Sequence, residues 1–98
     1  MRDSIRLVLL GNPGIEHVGS HFREAAAELR IAPAHCFVAE DAPAGIEAAK
    51  AGGMTGLGVA RLGFAGPLRA VGADLVVTSL DEVAVDALVN GRLCRRPT

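Results

Sequence analysis

Two adjacent carboxylates, Glu40 and Asp41, stand directly after the apolar run Cys36-Phe37-Val38-Ala39 and two residues before Pro43. Hard oxygen ligands at a strand end suit Mg2+, which takes one or two carboxylates and fills its shell with water and phosphate oxygens. Glu40 and Asp41 are therefore the candidate metal ligands, and Mg2+ is the expected cofactor. The competing reading of the pair has Asp41 capping the next helix and Glu40 in solvent, because acids are common at N-caps. Other residue types with chemical potential carry less. His17 and His21 have the i, i+4 spacing that holds a metal on a helix. Gly19 lies between them, however, and the helix is expected from Ser20, so both read as solvated. Gly11-Asn12-Pro13-Gly14 follows an apolar run as a phosphate-cradling loop would. Pro13 removes a backbone donor and no Gly-Lys-Ser/Thr follows, so it reads as a turn. Gly53, Gly56 and Gly58 precede and enter a strand, whereas a dinucleotide fingerprint follows one. Cys36 has no cationic neighbour in sequence to activate its thiol. Arg92, Arg95 and Arg96 read as a solvated basic tail.

The elements that must position the acidic pair alternate. Ile5 to Leu10 is a short apolar run ended by turn residues, which predicts a strand. Phe22, Ala25, Ala26 and Leu29 share one helical face, with Ser20 as the expected N-cap and Ala32-Pro33 as the stop. Cys36 to Ala39 is the second strand. Pro43 suits a first helical position, and Gly52-Gly53 end that helix. Thr55 to Ala60 is a third strand, weakened by Gly56 and Gly58. Leu68 to Val71 is expected to make one helical turn, and Leu75 to Val77 a fourth strand. Ser79-Leu80-Asp81-Glu82 has the pattern of a capping box. It is expected to open a helix striped by Leu80, Val83, Ala84, Ala87 and Leu88 and stopped at Asn90-Gly91. One α/β domain over 1–91 with a frayed tail over 92–98 follows. Strands separated by helices predict a parallel sheet with helices on its faces and ligands beyond the carboxyl ends of its strands.

Composition narrows the classes. The chain has 98 residues, half of them hydrophobic, with 10 Lys and Arg against 11 Asp and Glu. A disordered chain needs lower hydrophobicity and a larger net charge. The net charge of -1 and the 3% of aromatics argue against nucleic acid as a partner, because neither a basic surface nor a stacking platform is available. No apolar run reaches the roughly 18–20 residues of a membrane span. The first apolar run ends in a turn and not at a small-residue cleavage site, so no signal peptide is expected. Two lone cysteines, Cys36 and Cys94, form neither a disulfide framework nor a zinc motif, and suit a reduced, cytoplasmic protein.

The segment Val38-Ala39-Glu40-Asp41-Ala42-Pro43-Ala44-Gly45-Ile46-Glu47-Ala48-Ala49-Lys50-Ala51-Gly52-Gly53-Met54 resembles the fourth motif of the haloacid-dehalogenase-like superfamily. Its likeness is greatest to the beta-phosphoglucomutase and sugar-phosphate phosphatase branch. The helix from Phe22 to Leu29, the segment Pro33 to Cys36, Gly58 to Arg61 and Gly72 to Val77 are similar to the flanking parts. The resemblance covers about Phe22 to Leu88. It implies a Rossmann-like parallel sheet with helices on both faces and a separate cap. It further implies an aspartate nucleophile and a second aspartate two residues on as acid and base. A lysine that binds phosphate, Mg2+ on the acidic fourth motif and a sugar-phosphate substrate complete the set.

Only the fourth motif carries over, as Glu40 and Asp41. Gly11 and Asn12 follow the first apolar run where an Asp-x-Asp would stand, and Asp3 precedes that run. Lys50 is the only lysine, and it falls in the helix after the acidic pair. The expectation is thus an incomplete core without a cap domain, the C-terminal portion of a Mg2+-dependent phosphotransferase or phosphatase. It would meet a sugar phosphate only when an N-terminal half completes it. The alternative is a non-catalytic α/β module whose exposed sheet edge pairs with a complementing chain or a second copy. In the family the nucleophile strand lies beside the strand of the fourth motif. Without it Cys36 to Ala39 would be an open edge, which invites association, unless Ile5 to Leu10 takes that place.

Overall fold

The computed structural model describes residues 7–10, 18–61, 63 and 65–97. Four strands, β1 (Leu7–Leu10), β2 (Cys36–Glu40), β3 (Thr55–Val59) and β4 (Leu75–Val77), form one parallel sheet in the order β1-β2-β3-β4. Helices α1 (Val18–Glu28), α2 (Pro43–Ala51) and α3 (Ala65–Ala70) make the three crossovers, and α4 (Val85–Val89) follows β4. β1 pairs with β2, with Leu10 opposite Ala39. It takes the position beside the strand of the acidic pair, so the edge of β2 is not open.

The winding decides which face each helix covers. Crossovers in parallel sheets share one hand, so three that step in the same direction stay on one face. The packing agrees. Cys36 and Val38 of β2 are buried against Phe22 and Ala26 of α1 and Ala49 of α2. Val76 of β4 is buried against Ile46 of α2 and Leu68 of α3. The opposite face carries Ala39, Leu57, Val59 and Val77, because side chains alternate along a strand. Val83 seals it, with Leu88 and Leu93 packed alongside. Helices thus lie on both faces of a Rossmann-like α/β sheet, three on one and the short α4 on the other. Gly58 in β3 has a packing reason: a Cβ there would meet the Leu68 Cβ at 3.1 Å. Its missing side chain lets α3 sit close to the sheet.

Several boundaries differ from the sequence expectation. α1 begins at Val18, so Ser20 lies inside it and is not its cap. α3 runs over six residues, Ala65–Ala70. The capping box exists, with Ser79 accepting from the backbone, but it opens a 3-10 turn over Leu80–Glu82. No single helix continues through the Leu80 to Leu88 stripe. Val83 instead forms an antiparallel bridge with Arg95, and the Ala84 amide donates to the Cys94 carbonyl. Those backbone bonds take Val83 and Ala84 out of a helical path. The expected fraying after Gly91 is corrected by the same bonds: residues 92–97 return along the 3-10 turn and are tied to it. Among the described residues no helix is long and apolar enough to cross a membrane.

Candidate functional site

β2 carries its burial to its last residue, and Glu40 is only 3% exposed. On the three-helix face, Glu40 points under the first turn of α2. Its Oε1 accepts the amides of Asp41 at 3.0 Å and Ala42 at 3.1 Å. Its Oε2 is buried without a hydrogen-bond partner. Burial pushes the Glu40 carboxyl up from its ordinary range, against the pull of the Ala42 amide. Gly45 makes the pocket: a Cβ there would stand 2.1 Å from Glu40 Cγ and 2.4 Å from Oε2. Glycine is unfavourable within a helix, and this contact explains its presence. Gly45 was legible only as that local anomaly.

Asp41 is exposed at the carboxyl end of the sheet. It does not cap α2, because Ala42 holds the N-cap position without a side-chain bond. Pro43 starts the helix without needing a donor partner. The reading with Asp41 as cap and Glu40 in solvent therefore fails on both residues. A buried carboxylate with an unused oxygen, next to an exposed carboxylate at a strand end, fits a hard divalent cation. Glu40 and Asp41 are the residues that could hold it. Among the described residues no group of three or more His, Cys, Asp or Glu side chains comes together. The pair alone would leave most of the coordination shell to water or to another chain.

The remaining sequence candidates separate from this site. Cys36 is fully buried in the α1–β2 core, with its Sγ 3.5 Å from the Ala32 carbonyl. Burial pushes its thiol up, which keeps it protonated and inert. Cys94 is also unpaired. Lys50 forms a bridge to Asp74, 2.7 Å between Nζ and Oδ2, and the same Oδ2 accepts the Gly56 amide at 2.7 Å. Asp74 and Gly56 lie at the amino ends of β4 and β3, so Lys50 works at the opposite end of the sheet from Glu40. Arg95 and Arg96 bind groups of their own chain. Gly11-Asn12-Pro13-Gly14 and His17 lie outside the described residues, and His21 falls within α1.

No family model matches the chain. It is 43% identical over 67 residues to a beta-phosphoglucomutase of Bacillus subtilis, covering 68% of this chain and 27% of that protein. It is 43% identical over 63 residues to a trehalose-phosphate phosphatase of Mycobacterium avium, covering 62% of this chain and 16% of that protein. The crystal structure of a conserved haloacid dehalogenase-like protein of unknown function from Agrobacterium tumefaciens superposes with a TM-score of 0.59 and 27% identity. That match covers 69% of this chain and 33% of the other. The chain therefore spans about a quarter or less of the two curated relatives. With the fourth motif in place at the end of a parallel strand, these likenesses show that the chain is part of a haloacid-dehalogenase-like domain.

Proposed function

We propose that the chain supplies the metal-binding end of a Mg2+-dependent phosphoryl-transfer domain acting on sugar phosphates. The buried, partnerless Oε2 of Glu40 carries this reading. An ionised oxygen out of water and without a donor is costly, and a divalent cation shared with Asp41 offsets that cost. The names of both curated relatives point to sugar phosphates as the substrate class. Mg2+ bound there would neutralise the phosphate oxygens, which is the main electrostatic demand of phosphoryl transfer. The chain's own part is to hold Glu40 rigid on two amides and present Asp41 at the sheet end. The nucleophile, the acid-base group, the phosphate lysine and the cap belong to a complementing N-terminal half. A reduced, cytoplasmic setting suits the two unpaired thiols.

The test is co-expression with the N-terminal half of a beta-phosphoglucomutase-like protein. The complex should show Mg2+-dependent phosphoryl transfer with glucose phosphates, and Asp41→Ala should remove most of it. A stable complex without activity, or activity indifferent to Asp41→Ala, would move the assignment to the second reading. That reading, a non-catalytic module that pairs with another chain, is favoured by one observation. β1 already lies where the nucleophile strand is expected, and Gly11-Asn12 follow it without a carboxylate. An incoming half must therefore compete with β1 for β2.

A further inference from the structure

The face of the sheet opposite α1–α3 has a separate cover, made by the 3-10 turn, α4 and residues 92–97. Its hydrogen bonds run mostly within itself. The Ala84 amide donates to the Cys94 carbonyl, the Arg96 amide to the Glu82 carbonyl, and Arg96 Nη1 to the Asp81 carbonyl. Its attachment to the sheet is of another kind. Val83, Leu88 and Leu93 make apolar contacts, and Arg95 Nη2 donates to the carbonyl of Val76 on β4. Glu82 aims that guanidinium, its Oε1 lying 2.7 Å from Arg95 Nη1. Glu82 is itself fixed, because Oε2 accepts the Thr78 amide, the Thr78 hydroxyl and the Ser79 amide.

We propose that residues 80–97 are a cover clasped by Arg95, which lets go of the sheet as one unit while the α1–α3 face and the Glu40 site stay closed. A segment wired internally, hinged where Glu82 holds Thr78 and Ser79, and kept on the sheet face by a few apolar side chains and one side-chain clasp opens cooperatively, below the global unfolding free energy. Opening bares the row Ala39, Leu57, Val59 and Val77, which runs up to the residue before Glu40. The device needs neither metal nor a second chain, so it stands whether or not the phosphoryl-transfer reading holds.

Amide hydrogen exchange on the full chain tests it. In the wild type, the amides of Ala84, Asn90, Arg92 and Arg96 should exchange at one common free energy of opening. The hydrogen-bonded amides of Ile46, Met54 and Ala60 should exchange more slowly. Arg95→Met should speed the first group together by roughly ten- to a hundredfold, the range set by losing hydrogen bonds of a charged donor. Arg95→Lys, which keeps the charge but loses the fork, should give a smaller acceleration of the same group. Ile46 and Met54 should not respond to either change. One common rate for all seven amides in the wild type would overturn the proposal. So would an Arg95→Met chain in which the cover amides are unchanged, or in which every amide accelerates alike.

Discussion

Replacing Gly45 by alanine tests whether the Glu40 pocket is as tight as its geometry says. The new Cβ would lie 2.1 Å from Glu40 Cγ and 2.4 Å from both Cδ and Oε2. Forcing a methyl into a filled site costs ~1–3 kcal/mol. The escape route, swinging Glu40 outward, gives up the bonds from the Asp41 and Ala42 amides, each worth ~1 kcal/mol. Either route costs ~2 kcal/mol. Alanine in a helix returns ~0.5–1 kcal/mol relative to glycine. Gly45→Ala should therefore destabilise the chain by ~1–2 kcal/mol by this balance. In a Glu40→Ala background no atom of the carboxyl arm remains to clash. There the same substitution should stabilise by up to ~1 kcal/mol. The coupling between the two positions is then ~2 kcal/mol, well above the additivity expected of independent sites. Urea unfolding of the four chains, followed by far-ultraviolet circular dichroism, measures it from the midpoints at constant m. Equal effects of Gly45→Ala in both backgrounds would refute the pocket.

The purified chain alone should release no phosphate from glucose phosphates with Mg2+, since a missing nucleophile removes most of covalent catalysis; Mg2+-dependent release that survives further purification would count against this. Glu82 is held down to about 2, chiefly by the Thr78 hydroxyl and the Thr78 and Ser79 amides. Its contribution to stability is complete above the ordinary glutamate value of ~4.3 and is lost as pH falls toward 2, so Glu82→Gln should flatten the acid limb of unfolding midpoint against pH. Glu40 is shifted the other way, so its contribution is present below ~4.3 and lost as pH rises through the raised value. Without metal, Glu40→Gln should then gain on the wild type as pH climbs to neutrality, and a constant difference would refute the assignment. Asp74→Ala should cost more than Lys50→Met, because it strands the Gly56 amide at ~1–2 kcal/mol, whereas the half-exposed ion pair is worth under ~1 kcal/mol; urea midpoints decide.

The alternation of apolar runs with helical stripes was readable because each strand is short, buried and bounded by turn residues. β2, β3 and β4 fall within a residue of the expected limits, and Pro43 opens α2 as its chemistry dictates. The end of the chain was not readable in the same way. Local periodicity favoured one helix from the capping box to Leu88, but Val83 and Ala84 satisfy their backbone groups with Arg95 and Cys94. A pairing across a dozen residues leaves no mark in a window of seven. The acidic pair was legible as a motif, yet not the difference between its members. Glu40 is buried and Asp41 exposed because strand alternation turns the first under α2. The place of β1 beside β2 followed from no residue pattern; it is a choice among edges.

The order β1-β2-β3-β4 also bears on where a substrate could lodge. In open parallel sheets the ligand crevice forms where the winding reverses, because helices leaving adjacent strands then part to opposite faces. Here the connections from β1, β2 and β3 never reverse, and α1, α2 and α3 stay on one side. Among the described residues, the carboxyl ends around Glu40 and Asp41 thus lack a topological switch point. A second polypeptide whose strands displaced β1 and extended the sheet from β2 in the opposite sense would create one. The acidic pair would then stand at the mouth of a crevice built by two chains.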